Sequence, residues 1–408
     1  MRRIFFVNRF YAPDHSATAQ ILTDLAVALV RRGHEVHVVT SQGLYDDPAA
    51  KLPLEETLDG VLVHRVPVPA YDRNNLGKRA LGYLFVYRQL ASALRKLILT
   101  GDIVVAKTDP PLLSVVVARA ISGKGAILVN WLQDVYPEVA AHLGVPFVKG
   151  PVSNILARLR DRSLKQAYKN VVLGVRMADV VQQRGVQSDK IAIVPNWTDD
   201  QEIMPVPHSS NHLRREWGLE DKFVIGYSGN LGRAHEFDTL LEAARQLRDR
   251  EDIVFLFIGS GHHFARLKAL VDEFGIAKRF QFRPYQARKD LKNSLGVADV
   301  HWLSLRPELE GLIVPSKFYG IAAAGRPTIA VTAADGEIGR LVEEHKCGVQ
   351  VNPGDGAGLA KAIVRLADDR PGVEEMGRRA RSMIDMTYNR NSGIRTWDEL
   401  LRSAHEGG

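Results

Sequence analysis

A chain of 408 residues with 45% hydrophobic and 25% charged residues is long enough to bury two cores of ordinary size. A single cysteine, Cys347, excludes an internal disulfide and a thiolate metal cluster, and fits a reducing compartment. The formal charge of +7 lies wholly in the first half: residues 1–200 carry 25 Lys and Arg against 18 Asp and Glu, and the remainder balances at 29 against 29. Such a basic surface admits nucleic acid or an anionic membrane as a partner and by itself selects neither.

The opening MRRIFFVNRFYAPDHS has two arginines before an apolar run, but Asn8 and Arg9 break that run before a signal core or a membrane span forms. The expected location is the cytoplasm. In chain order, Arg3–Asn8 reads as a strand and Ser16–Arg32 as a helix with Ile21, Leu22, Leu25, Leu29 and Val30 on one face. Gly33 closes the helix and Glu35–Thr40 is the next strand. Val61–Val66, Ile103–Lys107, Ala126–Trp131, Asn170–Val175 and Ile191–Pro195 follow as buried strands. Helical patterns near Lys78–Leu99, Leu112–Ile121 and Pro151–Ala167 separate them. This alternation predicts an α/β fold with a parallel sheet covered on both faces.

The segment NWTDDQEIMPVPHSSNH, near Asn196–Trp217, is polar, proline-bearing and without period, and reads as a linker. After it the same grammar restarts. Strands at Val224–Ser228, Val254–Gly259, Phe280–Pro284, Val300–Leu303, Thr328–Val331 and Gly348–Val351 alternate with helices such as Asp238–Arg248, Phe264–Phe274 and Lys317–Ala324. The expected division is a first domain at 1–200, a second at 201–385, and a C-terminal stretch 386–408 returning to the first. Two doubly wound, Rossmann-like sheets facing each other would leave a cleft at the carboxyl ends of their strands, where such folds bind ligands.

Three loops of the second half invite attention. SGNLGRAHE offers Gly229 and Gly232 for close backbone approach and Arg233 as a fork-shaped phosphate partner, although a flexible turn with a solvated arginine fits it equally. IGSGHH, after the next strand, repeats the theme with Gly259, Ser260 and Gly261. In EGLIVPSKFYGIAAAGRPTIAV, Pro315 and Ser316 suit a first helical turn and Lys317 adds charge to that helix's N-terminus, where a diphosphate would be received. Glu310 stands beside it as an acceptor for sugar hydroxyls. Gly325 stops the helix and Pro327 prevents its resumption. In the first half, Asp134 ends the apolar strand ILVNWLQ and would project toward ligand, though a helix-capping aspartate is nearly as good an account. Asp109 in TDPP suits a turn, His15 is a loop histidine with no evident partner, and His34 in RRGHEV reads as structural.

FYAPDHSATAQILTDLAVALVRRGHEVHVVT, KTDPPLL, VNWLQDVYPE, IVPNWTD, GYSGNLGRAHEFDTLLEAA, FIGSG and EGLIVPSKFYGIAAAGRPTIAV together span nearly the whole chain. In that order they resemble a retaining glycosyltransferase of GT-B fold, of glycosyltransferase family 4, and within it the bacterial branch that builds O-antigen, capsule and colanic-acid-like polysaccharides. The resemblance implies transfer of a sugar from a nucleotide-diphosphate donor, UDP before GDP, to a glycan or lipid-linked acceptor. It implies that Gly229, Asn230, Arg233, Lys317 and the backbone from Gly311 through Leu312, Ile313 and Val314 to Ser316 lie along the diphosphate. Gly259 and Ser260 would line the donor site, Glu310 would hold the donor sugar, and Pro284 and Tyr285 of RPYQ would border the base. On the acceptor side it implies the loop Asp14–Ala19, with His15, Ser16, Ala17 and Thr18, together with Asp109 and the stretch Trp131–Glu138 around Asp134. The residues expected to carry the chemistry are Glu310, Asp134, Arg233 and Lys317.

One position departs from the family. Aligning on AAAGRP puts Gly320 where a second glutamate usually meets the ribose, so that contact must come from elsewhere, with Glu337 in DGEIGRLVEE the best candidate. No cofactor and no essential metal are expected, because cationic side chains and a helix N-terminus can stabilise the leaving phosphate electrostatically, and no Asp-x-Asp or His/Cys cluster offers ligand spacing.

The segment Lys78–Ile98 mixes Leu81, Leu84, Phe85, Tyr87, Leu90 and Leu94 with Lys78, Arg79, Arg88, Arg95 and Lys96. Its apolar face is expected to pack on the sheet, with its basic end touching an anionic membrane and the helix Ala157–Lys169 contributing. That would make the protein peripheral on the inner face of the plasma membrane. Two other functions weigh less: a nucleotide-sugar epimerase of the same shape, and a basic nucleic-acid-binding protein, which lacks any recognisable nucleic-acid module.

Overall fold

The computed structural model describes residues 3–68, 76–146, 148 and 150–406, and of residues 76–80 the backbone only. The chain divides into two compact units, Met1–Pro195 with Gly393–Gly408, and Asn196–Ser392.

In the first unit, β1 (Ile4–Val7), β2 (Val36–Ser41), β3 (Glu55–Leu58), β4 (Val61–Val66), β5 (Ile103–Ala106), β6 (Ile127–Trp131), β7 (Lys169–Val172) and β8 (Ile191–Ile193) form one sheet in the order β3-β4-β2-β1-β5-β6-β7-β8. Every pairing is parallel except β3 with β4. The central strands IFFV and IVVA are wholly buried, as a sheet covered on both faces requires. The antiparallel β3 has no counterpart in the sequence reading. Its residues EETL are mostly polar, and Asp59 and Gly60, both at positive φ (48° and 83°), close the two-residue hairpin.

The helix Leu76–Leu97 differs from its expected packing. Val86, Leu90 and Leu94 enter the core with Phe5, Val7 and Val104, whereas Leu81, Leu84 and Phe85 point outward. Lys78 and Arg79 lie outside the described side chains. This helix packs on Leu113–Ile121, which packs in turn on Gly150–Gln166. The C-terminal helix Arg390–Glu406 joins the unit through Trp397, whose ring lies 4.6 Å from that of Trp131. Asp398 pairs with His34 at 2.6 Å and Arg32 at 3.0 Å, which gives His34 its structural task.

In the second unit, β9 (Phe223–Asn230), β10 (Ile253–Ser260), β11 (Phe280–Arg283), β12 (Val300–Ser304), β13 (Thr328–Val331) and β14 (Gly348–Val351) form an all-parallel sheet in the order β11-β10-β9-β12-β13-β14. Phe255, Phe257 and Phe280 stack within its core. In each sheet the winding reverses once, between β1 and β5 in the first unit and between β9 and β12 in the second. At such a reversal point, near the carboxyl ends of the two strands, an open parallel sheet receives ligand.

Candidate active site

The loops after β9 and β12 flank the reversal point of the second sheet and are tied together there. The Arg306 amide donates to the Ala234 carbonyl at 3.0 Å, and the His235 Nδ1 lies 2.8 Å from the Ser304 carbonyl oxygen. The strands run on into the two glycine-bearing stretches further than the sequence suggested, so that Gly229 and Asn230 end β9 opposite Gly259 and Ser260, which end β10. Gly229 and Gly259 both have φ of 130°, and Gly261 has 142°. A Cβ on Gly259 would run into the Gly229 carbonyl oxygen, and one on Gly261 into the Asn230 side chain and the Leu231 backbone. Here glycine is required by contact and by backbone angle together.

Lys317 opens the helix Lys317–Ala323 and reaches across to β9. Its Nζ donates to the Tyr227 hydroxyl at 2.6 Å, lies 3.3 Å from His235 Nε2, and sits 4.2 Å above the Tyr227 ring centre. A Cβ on Gly229 would be 3.5 Å from the same Nζ. The Tyr227 hydroxyl in turn donates to the Asn230 carbonyl at 2.7 Å. Burial pushes the Lys317 ammonium down to about 7. Burial first, and then the lysine's charge, push His235 down to about 3, so the imidazole is neutral at physiological pH.

Glu310 follows the short turn Pro307–Leu309 and carries its carboxylate to Gly336, which precedes the helix Glu337–Glu344. A Cβ at Gly336 would collide with that carboxylate. Pro284 and Tyr285 follow β11, and the Tyr285 ring, 55% exposed, edges onto Gly259.

Three expectations for the second unit need correction. Arg233 is exposed, and the charge it exerts is felt by His263 rather than joined to the Lys317 cluster, because the chain turns outward after β9. Glu337 is 7% exposed and its charge is felt by the buried phenols of Tyr319 and Tyr388, so it is turned largely inward rather than displayed on the surface. Of the backbone from Gly311 to Ser316, Leu312 and Ile313 spend their amides on the Leu309 carbonyl, at 3.0 and 3.3 Å. The helix that begins at Lys317 has seven residues, too short for much of a dipole, which leaves the lysine itself as the principal charge. At Gly320 a Cβ would meet only Ile203 and Leu295 side chains at 3.9 Å, so no steric demand explains that glycine.

In the first unit the loops after β1 and β5 are likewise joined, the Arg9 amide donating to the Asp109 carbonyl at 2.7 Å. Asp109 and Asp134 act electrostatically on the same group, Lys107, the residue that follows β5. Lys107 is completely buried, with its Nζ 3.6 Å from the Trp131 ring centre and no hydrogen-bond partner among the described residues. Burial holds its ammonium well below the ordinary lysine range against the pull of both carboxylates. Asp134 is pushed up to about 7 by burial and by the charge of Asp109. Lys107 and Asp134 line one small cavity with Thr108, Ser114, Tyr136 and Arg160. In the other expected acceptor loop, His15 and Ala17 are exposed and Ser16 and Thr18 half-buried. The Asp14 carboxylate there is occupied by the amides of Ser16 and Tyr45.

His235, Tyr227, Gly336 and Lys107 escaped the sequence reading. His235 and Tyr227 fall inside the quoted stretch GYSGNLGRAHE, yet nothing in their spacing separates them from their neighbours. Lys107 carried a faint signal, a cation that ends an otherwise apolar strand.

The family described as "Glycosyl transferases group 1" matches residues 209–383, and that described as "Glycosyl transferase 4-like domain" matches residues 16–197. The chain belongs to the GT-B glycosyltransferases. Among its relatives in that family, WbjE of Pseudomonas aeruginosa, named as a glycosyltransferase, is 26% identical over 98% of each chain. WcaI of Escherichia coli strain K12, named for colanic acid biosynthesis, is 27% identical over 82% of this chain and 84% of its own. Among solved structures, Alr3699/HepE of Anabaena in complex with UDP superposes with a TM-score of 0.74 and 17% identity, covering 98% of this chain and all of the other. For this glycosyltransferase, the matched residues 209–383 contain every element of the Lys317 cluster.

Proposed function

We propose that this glycosyltransferase moves a sugar from a nucleoside diphosphate, UDP before GDP, to a glycan or lipid-linked acceptor with retention of anomeric configuration, in the making of a cell-surface polysaccharide. The observation that carries the proposal is Lys317, an ammonium held over Tyr227 at the reversal point of the second sheet, beside backbone made accessible by Gly229 and Gly259. A cation fixed in a partly buried site stabilises the charge that grows on a departing diphosphate, and its value there exceeds its value in water. Glu310, on the same β12 loop, accepts hydroxyls of the donor sugar, and Arg233 adds a second positive charge from the surface. As the bond from the anomeric carbon to the phosphate oxygen breaks, the acceptor oxygen forms its bond on the same face. The acceptor's proton passes to the departing phosphate, and neither a dedicated base nor a metal is required. Relatives named for colanic acid and lipopolysaccharide core biosynthesis, and the neighbour's UDP and UDP-glucose complexes, favour this donor and product class.

The first unit would hold the acceptor, with Asp134 and Asp109 toward its hydroxyls and His15 at the edge. A lipid-linked acceptor accords with the outward Leu81, Leu84 and Phe85, and with exposed Val152, Ile155 and Leu159 on the helix Gly150–Gln166. Arg88, Arg158, Arg162 and Lys165 are exposed on the same two helices. No helix among the described residues is long and apolar enough to cross a membrane, so the contact proposed is with the surface of an anionic bilayer.

Thermal unfolding with UDP, GDP and ADP tests the donor. A nucleotide at about a hundred times its dissociation constant adds roughly 2.7 kcal/mol of apparent stability. One diphosphate is expected to raise Tm, and Lys317→Ala to diminish that rise; no rise with any nucleotide overturns the donor assignment. Flotation with anionic vesicles at low salt tests the membrane contact, which Leu84→Asp with Ile155→Asp should weaken. Equal flotation of variant and parent would dismiss it.

A further inference from the structure

His235 has no assigned part, yet its geometry is fully determined. Ser304, the last residue of β12, places its carbonyl oxygen 2.8 Å from Nδ1, which keeps the proton on that nitrogen because a carbonyl can only accept. Nε2 therefore carries the lone pair, and it faces Lys317 Nζ at 3.3 Å. The Tyr227 hydroxyl, its own proton given to the Asn230 carbonyl, offers Lys317 a second acceptor at 2.6 Å. An ammonium has three donors, and these two acceptors spend two of them, which aims the third.

We propose that His235 is a positioning residue that accepts a hydrogen bond from the Lys317 ammonium and directs its remaining proton to the donor diphosphate, so that binding a nucleoside diphosphate is coupled to protonation of the lysine. The inference rests on the diphosphate site described above. The groups that face the pair are Tyr227 from β9, with Tyr285 acting on that phenol, the Ser304 and Asn230 carbonyls acting on His235, and His263, itself half-buried and under the charges of His262, Arg266 and Arg233 with Asp238 acting against them. Burial lowers Lys317. In the empty site the lysine thus titrates around 7, and a diphosphate that reaches it raises its proton affinity. Affinity is then full below pH 7. It falls with rising pH, by at most tenfold per unit, until the pH reaches the raised value of the bound state. Removing the histidine's lone pair withdraws one of two acceptors from the ammonium, so the falling limb moves to lower pH.

Titration calorimetry with UDP and GDP, in buffers of different ionisation enthalpy between pH 6 and 9, reads both the affinity and the proton count. The intact protein should take up a fraction of a proton near pH 7.5, and His235→Leu should lose about tenfold more affinity at pH 8 than at pH 6. His235→Gln can return an acceptor oxygen to Lys317 and should recover most of that difference, with Tm of both variants checking the fold. An affinity loss that is the same at every pH, or buffer-independent heats in the intact protein, would overturn the role of His235 while leaving the diphosphate site in place. If Lys317→Ala binds the nucleotide as tightly as the parent, the diphosphate site itself is wrong and the role of His235 goes with it.

Discussion

Each unit puts a lysine over an aromatic ring near the carboxyl ends of its strands, and treats it differently. In the second unit Lys317 lies over Tyr227 with two hydrogen-bond acceptors and an edge open to solvent. In the first, Lys107 lies over Trp131, sealed from water, without an acceptor among the described residues and opposed by Asp109 and Asp134. A diphosphate is the same in every nucleotide sugar, so a rigid, pre-aimed cation suits it. An acceptor varies between enzymes, and in the proposed acceptor region a buried lysine set against two carboxylates beside a small cavity can be retuned by single substitutions. The difference is one between a site fixed by backbone contact and a site set by electrostatic balance.

The comparison breaks most visibly at Lys317. Lys317→Ala should lower kcat by about a hundred- to a thousandfold, the usual loss for one preorganised donor to developing charge, measured as release of nucleoside diphosphate in a coupled turnover assay. A loss below about tenfold would move the chemistry elsewhere. Gly259→Ala tests whether contact fixes the donor site. With φ at 130° and the Gly229 carbonyl in the way, it should cost ~1–3 kcal/mol, read as a lower Tm by calorimetry, with weaker nucleotide binding.

On the other side of the comparison, Asp134 titrates near 7, so kcat/KM should rise through that pH as the carboxylate ionises. Asp134→Asn should flatten that limb and cost about tenfold, as for the loss of one hydrogen bond to a charged group. An unchanged profile would return Asp134 to a structural part. The smallest effect is expected at Gly320. It lies inside the helix Lys317–Ala323 with no contact closer than 3.9 Å to an added Cβ, so Gly320→Ala should stabilise the fold by roughly 0.5–1 kcal/mol without loss of nucleotide affinity.

How far the sequence could be read depended on whether a signal was periodic. Strands such as IFFV and IVVA and the helix Ala17–Arg31 repeat an apolar face, and their existence was legible to within a residue or two. The strand EETL was not, since a polar edge strand shows no such face. The glycines at 229, 259 and 261 were legible as unusual, but their pairing across β9 and β10 depends on register, which no local pattern carries. Arg233 attracted a role by its chemistry, but its direction, outward after β9, leaves it apart from the Lys317 cluster. Glu337 is drawn inward by its burial, while His235 gained a part from a carbonyl 69 residues further along the chain.

What the sequence determined by itself is the α/β alternation, the two halves and the chemistry available: one cysteine, glycines after strands, and the stretch from Glu310 to Val331 with its lysine. Burial periodicity and turn preferences are local, so they survive in one dimension. Only the tertiary structure decided that Lys317 meets Tyr227 and His235, that Gly336 makes room for Glu310, and that Lys107 is buried against Trp131. Each of those facts joins residues far apart in the chain, and the charge a group carries depends on the solvent and the partners that folding leaves it.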